Sequence, residues 1–232
     1  IEATPDSGAK ASDLFSLSLL IQDIREELDP KDVDLISLFT RLAYRALKEG
    51  MRIAETLGES RLLSYASGYM GGLYESEKQY SDAIKLTRKA IFFAQQGNYP
   101  DMLYLWQWQM GRLFEAEKRT EDAINAYRDA VATLTPIRHA MLRGYRNQRD
   151  AFYETVKPVY LGLADLLLRQ AEKLKAETGT SGSETSRMTA HHAKLREARD
   201  TMEGLKTAEL QDFFEDECIA AIHAKNGAPD KT

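Results

Sequence analysis

The chain has 232 residues, a net charge of −5 and a single cysteine, Cys218. One cysteine excludes an internal disulfide and a Cys-based zinc cluster. The acidic balance argues against general nucleic-acid binding. No run approaches the ~18–20 apolar residues of a membrane span. Glycine and proline together are too few for a turn-rich β-sandwich. The chain opens on Ile1 rather than Met, which points to a removed or processed upstream segment. The compartment is therefore unassigned, with a slight lean to the cytoplasm.

Apolar residues recur with helical spacing almost throughout, and no useful stretch alternates like a strand. In chain order the pattern predicts helices over 11–28, 31–57, 60–77, 80–97, 101–117, 120–134, 137–156, 159–175, 191–207 and 208–224. Pro30, Pro100, Pro136 and Pro158 are expected at helix starts or in the joints before them. Gly97-Asn98 and Leu57-Gly58 are stop signals. The Gly/Ser/Thr-rich stretch within 176–190 reads as a mobile loop, and 225–232 as a disordered tail or the start of a linker.

An internal repeat is the strongest signal. Met70–Ile84 and Met110–Ile124 are identical at nine of fifteen positions, 40 residues apart. Ala43, Ala83 and Ala123 fall in register, as do Gly50, Ala90 and Ala130. A third copy is split, with Tyr160, Leu163, Ala164 and Leu167 in its first helix and Ala198, Met202 and Leu205 in its second. Small residues at Gly71, Ala83, Gly111 and Ala123 let antiparallel helices approach, while Leu73, Tyr74, Leu113 and Phe114 fill the space between crossings. A hairpin of this kind cannot bury its apolar face alone, so hairpins stack.

Ser67, Met70-Gly71, Tyr74, Ala83, Thr87 and Ala90, followed by Gln107, Met110-Gly111, Phe114, Ala123, Tyr127 and Ala130, resemble the tetratricopeptide repeat (TPR). Ser67 and Gln107 stand where that family has Trp, and Thr87 where it has an aromatic; the period exceeds the family's 34. The resemblance implies an all-α fold, a right-handed TPR-like superhelix of antiparallel hairpins over 31–224, with extra helices at both ends. The segment 1–30 would be a non-repeat N-terminal helix. A narrower resemblance is carried by Trp106–Arg112, Gly144–Phe152, Pro158–Gln170 and Leu210–Cys218. These segments look like the repeat region that precedes a caspase-like (CHAT) peptidase domain in bacterial TPR–CHAT proteins. The chain would then be the non-catalytic recognition or regulatory half of such a protein.

No catalytic constellation is expected. Cys218 follows Glu215, Asp216 and Glu217, which disfavour a thiolate, and His223 is off its helical face. His191 and His192, adjacent on a helix, point ~100° apart and cannot chelate as an i, i+4 pair, so they read as a solvated helix start. No metal and no cofactor are implied. Trp106 and Trp108 straddle Gln107, so one packs in the core and the other lines a surface. TPR geometry, by resemblance, places groove positions at Tyr65, Gly68, Gly72 and Glu75, then Leu105, Trp108, Arg112 and Glu115, then Leu161, Asp165 and Arg169. Arg138, Arg143, Arg146 and Arg149 form a basic run, read either as salt bridges to acidic neighbouring faces or as a positive wall facing an acidic partner.

The resulting expectation is a protein- or peptide-binding module whose contact residues are Trp108, Arg112, Glu115, Tyr65, Glu75, Arg143, Arg146 and Arg149. Two alternatives stand beside it: a regulator of its own peptidase domain, and an oligomerisation scaffold.

Overall fold

A computed structural model describes residues 5–142, 152–176 and 184–226. The described residues form eight α-helices and one π-helical turn, with no strand among them. No helix among them is long and apolar enough to cross a membrane. The helices are α1 (Gly8–Glu26), α2 (Val33–Leu57), α3 (Ser60–Ser76), α4 (Tyr80–Gln96), α5 (Pro100–Ala116), α6 (Thr120–Leu142), α7 (Lys157–Ala176) and α8 (Glu184–Asn226). The chain forms two compact units, Ile1–Thr133 and Leu134–Thr232.

Local chemistry sets the helix ends in the first unit. Ser7 caps α1, its Oγ accepting from Lys10 N–H at 3.2 Å. Gly58 ends α2 in the left-handed region at φ 67°, where its N–H reaches Ala54 O. Three later turns share one design: Gln79 N–H bonds Tyr74 O, Tyr99 N–H bonds Ala94 O, and Arg119 N–H bonds Phe114 O. Each needs a left-handed residue just before the donor, and Lys78 (φ 58°), Asn98 (φ 52°) and Lys118 (φ 61°) supply it. The stop signal at 97–98 is thus carried by Asn98, since Gly97 stays right-handed at φ −88°. Gly97 has a different duty: a Cβ there would collide with the Tyr99 ring. Because lysine gains nothing from positive φ, Lys78→Gly and Lys118→Gly are each expected to stabilise the unit by ~0.5–1 kcal/mol. A higher urea midpoint at unchanged m would show this, and a lower midpoint would contradict it.

Successive helices pack on one another from α1 through α5, and α3 also touches both α1 and α5. The small-residue rule holds at each crossing. Ala43, Ala83, Ala90, Ala123 and Ala130 are fully buried. A Cβ on Gly50 would stand 2.5 Å from the Phe15 ring, and one on Gly111 would stand 2.5 Å from Tyr127. The core runs from Ala11, Leu14 and Phe15 of α1 through Leu47, Ile53, Leu62 and Leu73 to Met102, Met110 and Leu113.

The second unit has its own core. Tyr160, Leu163, Ala164 and Leu167 of α7 are buried, as are Ala198 and Leu205 of α8. These are residues of the split third copy, and α7 packs on α8 as its hairpin requires. Four expectations fail here. Pro136 does not mark a joint: it lies inside α6, which continues to Leu142. It has no N–H for Ala132 O, but buried Leu134 and Arg138 on either side hold the backbone in the helix. Of the predicted helix 137–156, the start belongs to α6 and the end is the π-helical turn Phe152–Val156 leading into α7; 143–151 lie outside the described residues. Residues 184–190, expected in the loop, are helical, and the predicted break between 207 and 208 is absent from α8. Leu205 and Ala208 are buried across that point, and no proline interrupts it, so intrahelical bonding continues. The rest of the expected loop, 177–183, lies outside the described residues, as does 227–232.

Candidate functional site

Helix α5 docks on α3 through three polar rungs spaced three residues apart. The spacing puts Trp106, Gln109 and Arg112 on neighbouring positions of one helix side. At the first rung, the buried Trp106 indole N–H donates to Ser64 Oγ at 3.0 Å, and Ser64 Oγ–H donates to Ala90 O at 2.8 Å. The ring lies where any side chain on residue 68 would go, which is why Gly68 is glycine. At the second rung, Gln109 Nε2 donates to Gly68 O at 3.1 Å and to Thr87 Oγ1 at 2.7 Å. Thr87 Oγ1–H in turn donates to Ala83 O at 2.8 Å. An aromatic at position 87 would displace this amide, so the departure from the TPR pattern has a packing reason. At the third rung, the Arg112 guanidinium makes a bidentate pair with Glu75, both N–H···O distances being 2.8 Å.

The third rung reaches the surface. Arg112 and Glu75 are half-buried, and the guanidinium lies 4.7 Å from the centre of the Trp108 ring. The Tyr127 phenol lies beside this group, within the electrostatic reach of Glu115, Arg112 and Glu75. Burial, then Glu115, push the Tyr127 phenol up to about 12. The sign follows from linkage. The folded state holds the Tyr127 proton more tightly than the unfolded chain, so this contribution is intact below about pH 10 and lost between about pH 10 and 12. Wild type is therefore expected to lose up to ~3 kcal/mol more than Tyr127→Phe over that window. Urea unfolding of both proteins at several alkaline pH values measures the difference, and parallel curves would overturn it.

Nearer the start of α3, Tyr65 is half-buried and stacked on Tyr69 at 5.4 Å. Both rings meet Trp106 edge-on. Arg61 sits 5.8 Å from the Tyr65 ring centre and 5.0 Å from that of Tyr99, and it pairs with Asp101.

The structure thus brings together four of the expected contact residues, Glu75, Trp108, Arg112 and Glu115, around Tyr127; Tyr65 lies ten residues before Glu75 on α3, about 15 Å along the helix, in its own group with Tyr69, Trp106 and Arg61. Trp106 is the core tryptophan and Trp108 the surface one. Gly68, expected to line a groove, is instead covered by Trp106. Arg143, Arg146 and Arg149 lie outside the described residues. Arg138, the first of that run, is buried in the second unit and donates to Gln211 Oε1. In the same unit Leu161 is exposed, and Asp165 pairs with Arg169 at 2.8 Å.

His191 is not at a solvated helix start. It is 9% exposed inside α8, with Nδ1 2.9 Å from Ala171 O, because α8 begins seven residues before it. Among the described residues no three His, Cys, Asp or Glu side chains converge as a metal site would require. Gln109, Thr87, Tyr69 and Arg61 were not foreseen as partners. Their signal is faint: Tyr65 and Tyr69 share an i, i+4 face, but the contacts of Gln109 span 22 and 41 residues. Compared with known proteins, the chain matches no family model and has no significant match among curated proteins.

Proposed function

We propose that the chain is a non-catalytic protein-recognition module, a TPR-like stack in whose first unit α1, α3 and α5 present one binding face. The observation that carries this reading is the fixed cluster Glu75, Trp108, Arg112 and Glu115, with the stacked Tyr65 and Tyr69 nearer the start of α3. Aromatic and arginine side chains held in place are suited to anchoring a partner, because little ordering entropy remains to be lost. The contact of α3 with both α1 and α5 supports one layer of these three helices. The partner is a peptide or protein segment with an apolar or aromatic anchor. Within the described cluster one cation faces two carboxylates, so that cluster by itself favours no acidic partner. The four segments that resemble TPR–CHAT proteins support placing this module beside a caspase-like peptidase, which is then the first partner to try.

The test is selection of a random peptide library on the full chain. Enriched peptides are expected to lose binding to Trp108→Ala and Tyr65→Ser, with melting temperatures measured in parallel. No enrichment, or peptides indifferent to both substitutions, would refute the reading.

One observation favours the scaffold alternative. Leu17, Leu20 and Ile24 on α1, and Leu35, Leu38 and Leu42 on α2, are exposed at i, i+3, i+7 spacing. A terminal repeat normally turns a polar face outward. Sedimentation over a concentration series, with Leu20→Gln and Leu38→Gln beside wild type, decides whether these stripes drive self-association.

A further inference from the structure

A second surface lies away from the Trp108 cluster, where α2 and α4 both pack on α3 but barely meet each other. The gap is a cleft of about 510 Å³. Its apolar lining comes from Met51 of α2, Leu63 of α3, and Leu86, Phe92 and Phe93 of α4. Phe92 is 59% exposed, an unusual position for a phenylalanine on a hairpin surface.

The repeat shows that the architecture does not require this. Forty residues on, Phe92 corresponds to Ala132; forty residues back, it corresponds to Arg52. Leu86 likewise corresponds to Ala126 and Ala46. The floor differs in the opposite sense. Ser67 is small where the next copy has Gln107, so this cleft stays open at its base. The α4 wall thus carries large apolar groups, Leu86 and Phe92, where the other copies do not, above a floor position that leaves them room.

The rim carries a charge signature. Arg88 and Lys89 line the cleft, both exposed, and neither has a hydrogen-bond or ion-pair partner among the described residues. Glu55 is the one carboxylate in the lining. Two unanswered cations beside an apolar trough stand out on a chain of net charge −5.

We infer that this cleft is a docking site for an amphipathic helix with an acidic flank. Its apolar stripe would lie on Phe92, Phe93, Leu86 and Met51, in the helix-in-groove manner. Its carboxylates would meet Arg88 and Lys89 in charge-assisted hydrogen bonds. The volume falls within the ~300–1,000 Å³ typical of binding pockets, enough for anchor side chains but not for a folded domain. This site is independent of the face proposed above.

The test uses the full chain and two labelled helical peptides with the same Leu/Phe stripe, one flanked by Glu and the other by Lys. Fluorescence anisotropy is expected to show the acidic peptide binding roughly tenfold more tightly, a difference of about 1.4 kcal/mol. Phe92→Ser should weaken it about as much, and Arg88→Glu combined with Lys89→Glu should reverse the preference. These side chains are exposed, so circular dichroism should show unchanged folds. Trp108→Ala should leave this binding intact, which separates failure here from failure of the other face. Equal binding of the two peptides, or no binding, overturns the inference. A dimer of the free chain abolished by Phe92→Ser also overturns it, assigning the cleft to a second copy.

Discussion

Trp106→Ala is expected to destabilise the first unit by ~3–5 kcal/mol, the range for removing a buried aromatic that neighbours cannot collapse onto. The indole is 3% exposed and makes edge-on contacts with Tyr65 and Tyr69. It also closes over the bare backbone of Gly68. Three helices depend on it: α3 through Gly68 and Ser64, α4 through the Ser64 bond to Ala90 O, and α5, which carries it. Trp106→Phe loses part of the fused ring and the N–H donor, so it should cost about 1 kcal/mol more than its lost packing area alone implies. Urea unfolding followed by the remaining Trp108 fluorescence measures both. A loss under about 1 kcal/mol for the alanine variant would show that the ring is not the keystone of this crossing.

Gly68→Ala should destabilise by ~1–3 kcal/mol, because the new methyl overlaps the Trp106 indole. Gly111→Ala should behave alike, its methyl arriving 2.5 Å from the Tyr127 ring. In the Trp106→Ala background the sign should reverse. With the indole gone, alanine at 68 is simply a better helix former than glycine, by ~0.5–1 kcal/mol. A double-mutant cycle between 68 and 106 reads this coupling directly. If Gly68→Ala costs the same with and without the indole, close approach is not what selects glycine there.

Stacked hairpins were legible from the residues because the information is local or periodic. Helical spacing, small residues at crossings, Gly58 and the repeated turns act over a few residues or over one fixed period of 40, and each appears in the structure where the sequence implied. The same local reading erred where tertiary packing outweighed a local signal. Pro136 stays inside α6 because its buried neighbours hold it, and α8 runs through 207–208 because Leu205 and Ala208 are packed. Spacing alone required Trp106 and Trp108 to face different ways without saying which was core; only the TPR resemblance put Trp108 on the surface. The fold decided, by setting Trp106 over a glycine 38 residues earlier. The charge of the candidate face was decided in the same way. Arg112 looked like an open cation, but a carboxylate 37 residues away meets it at 2.8 Å. The cleft beside Phe92 exists because α2 and α4 diverge above Ser67. Spacing along the chain constrains which face a side chain occupies; which group stands opposite depends on distances that only helix packing sets.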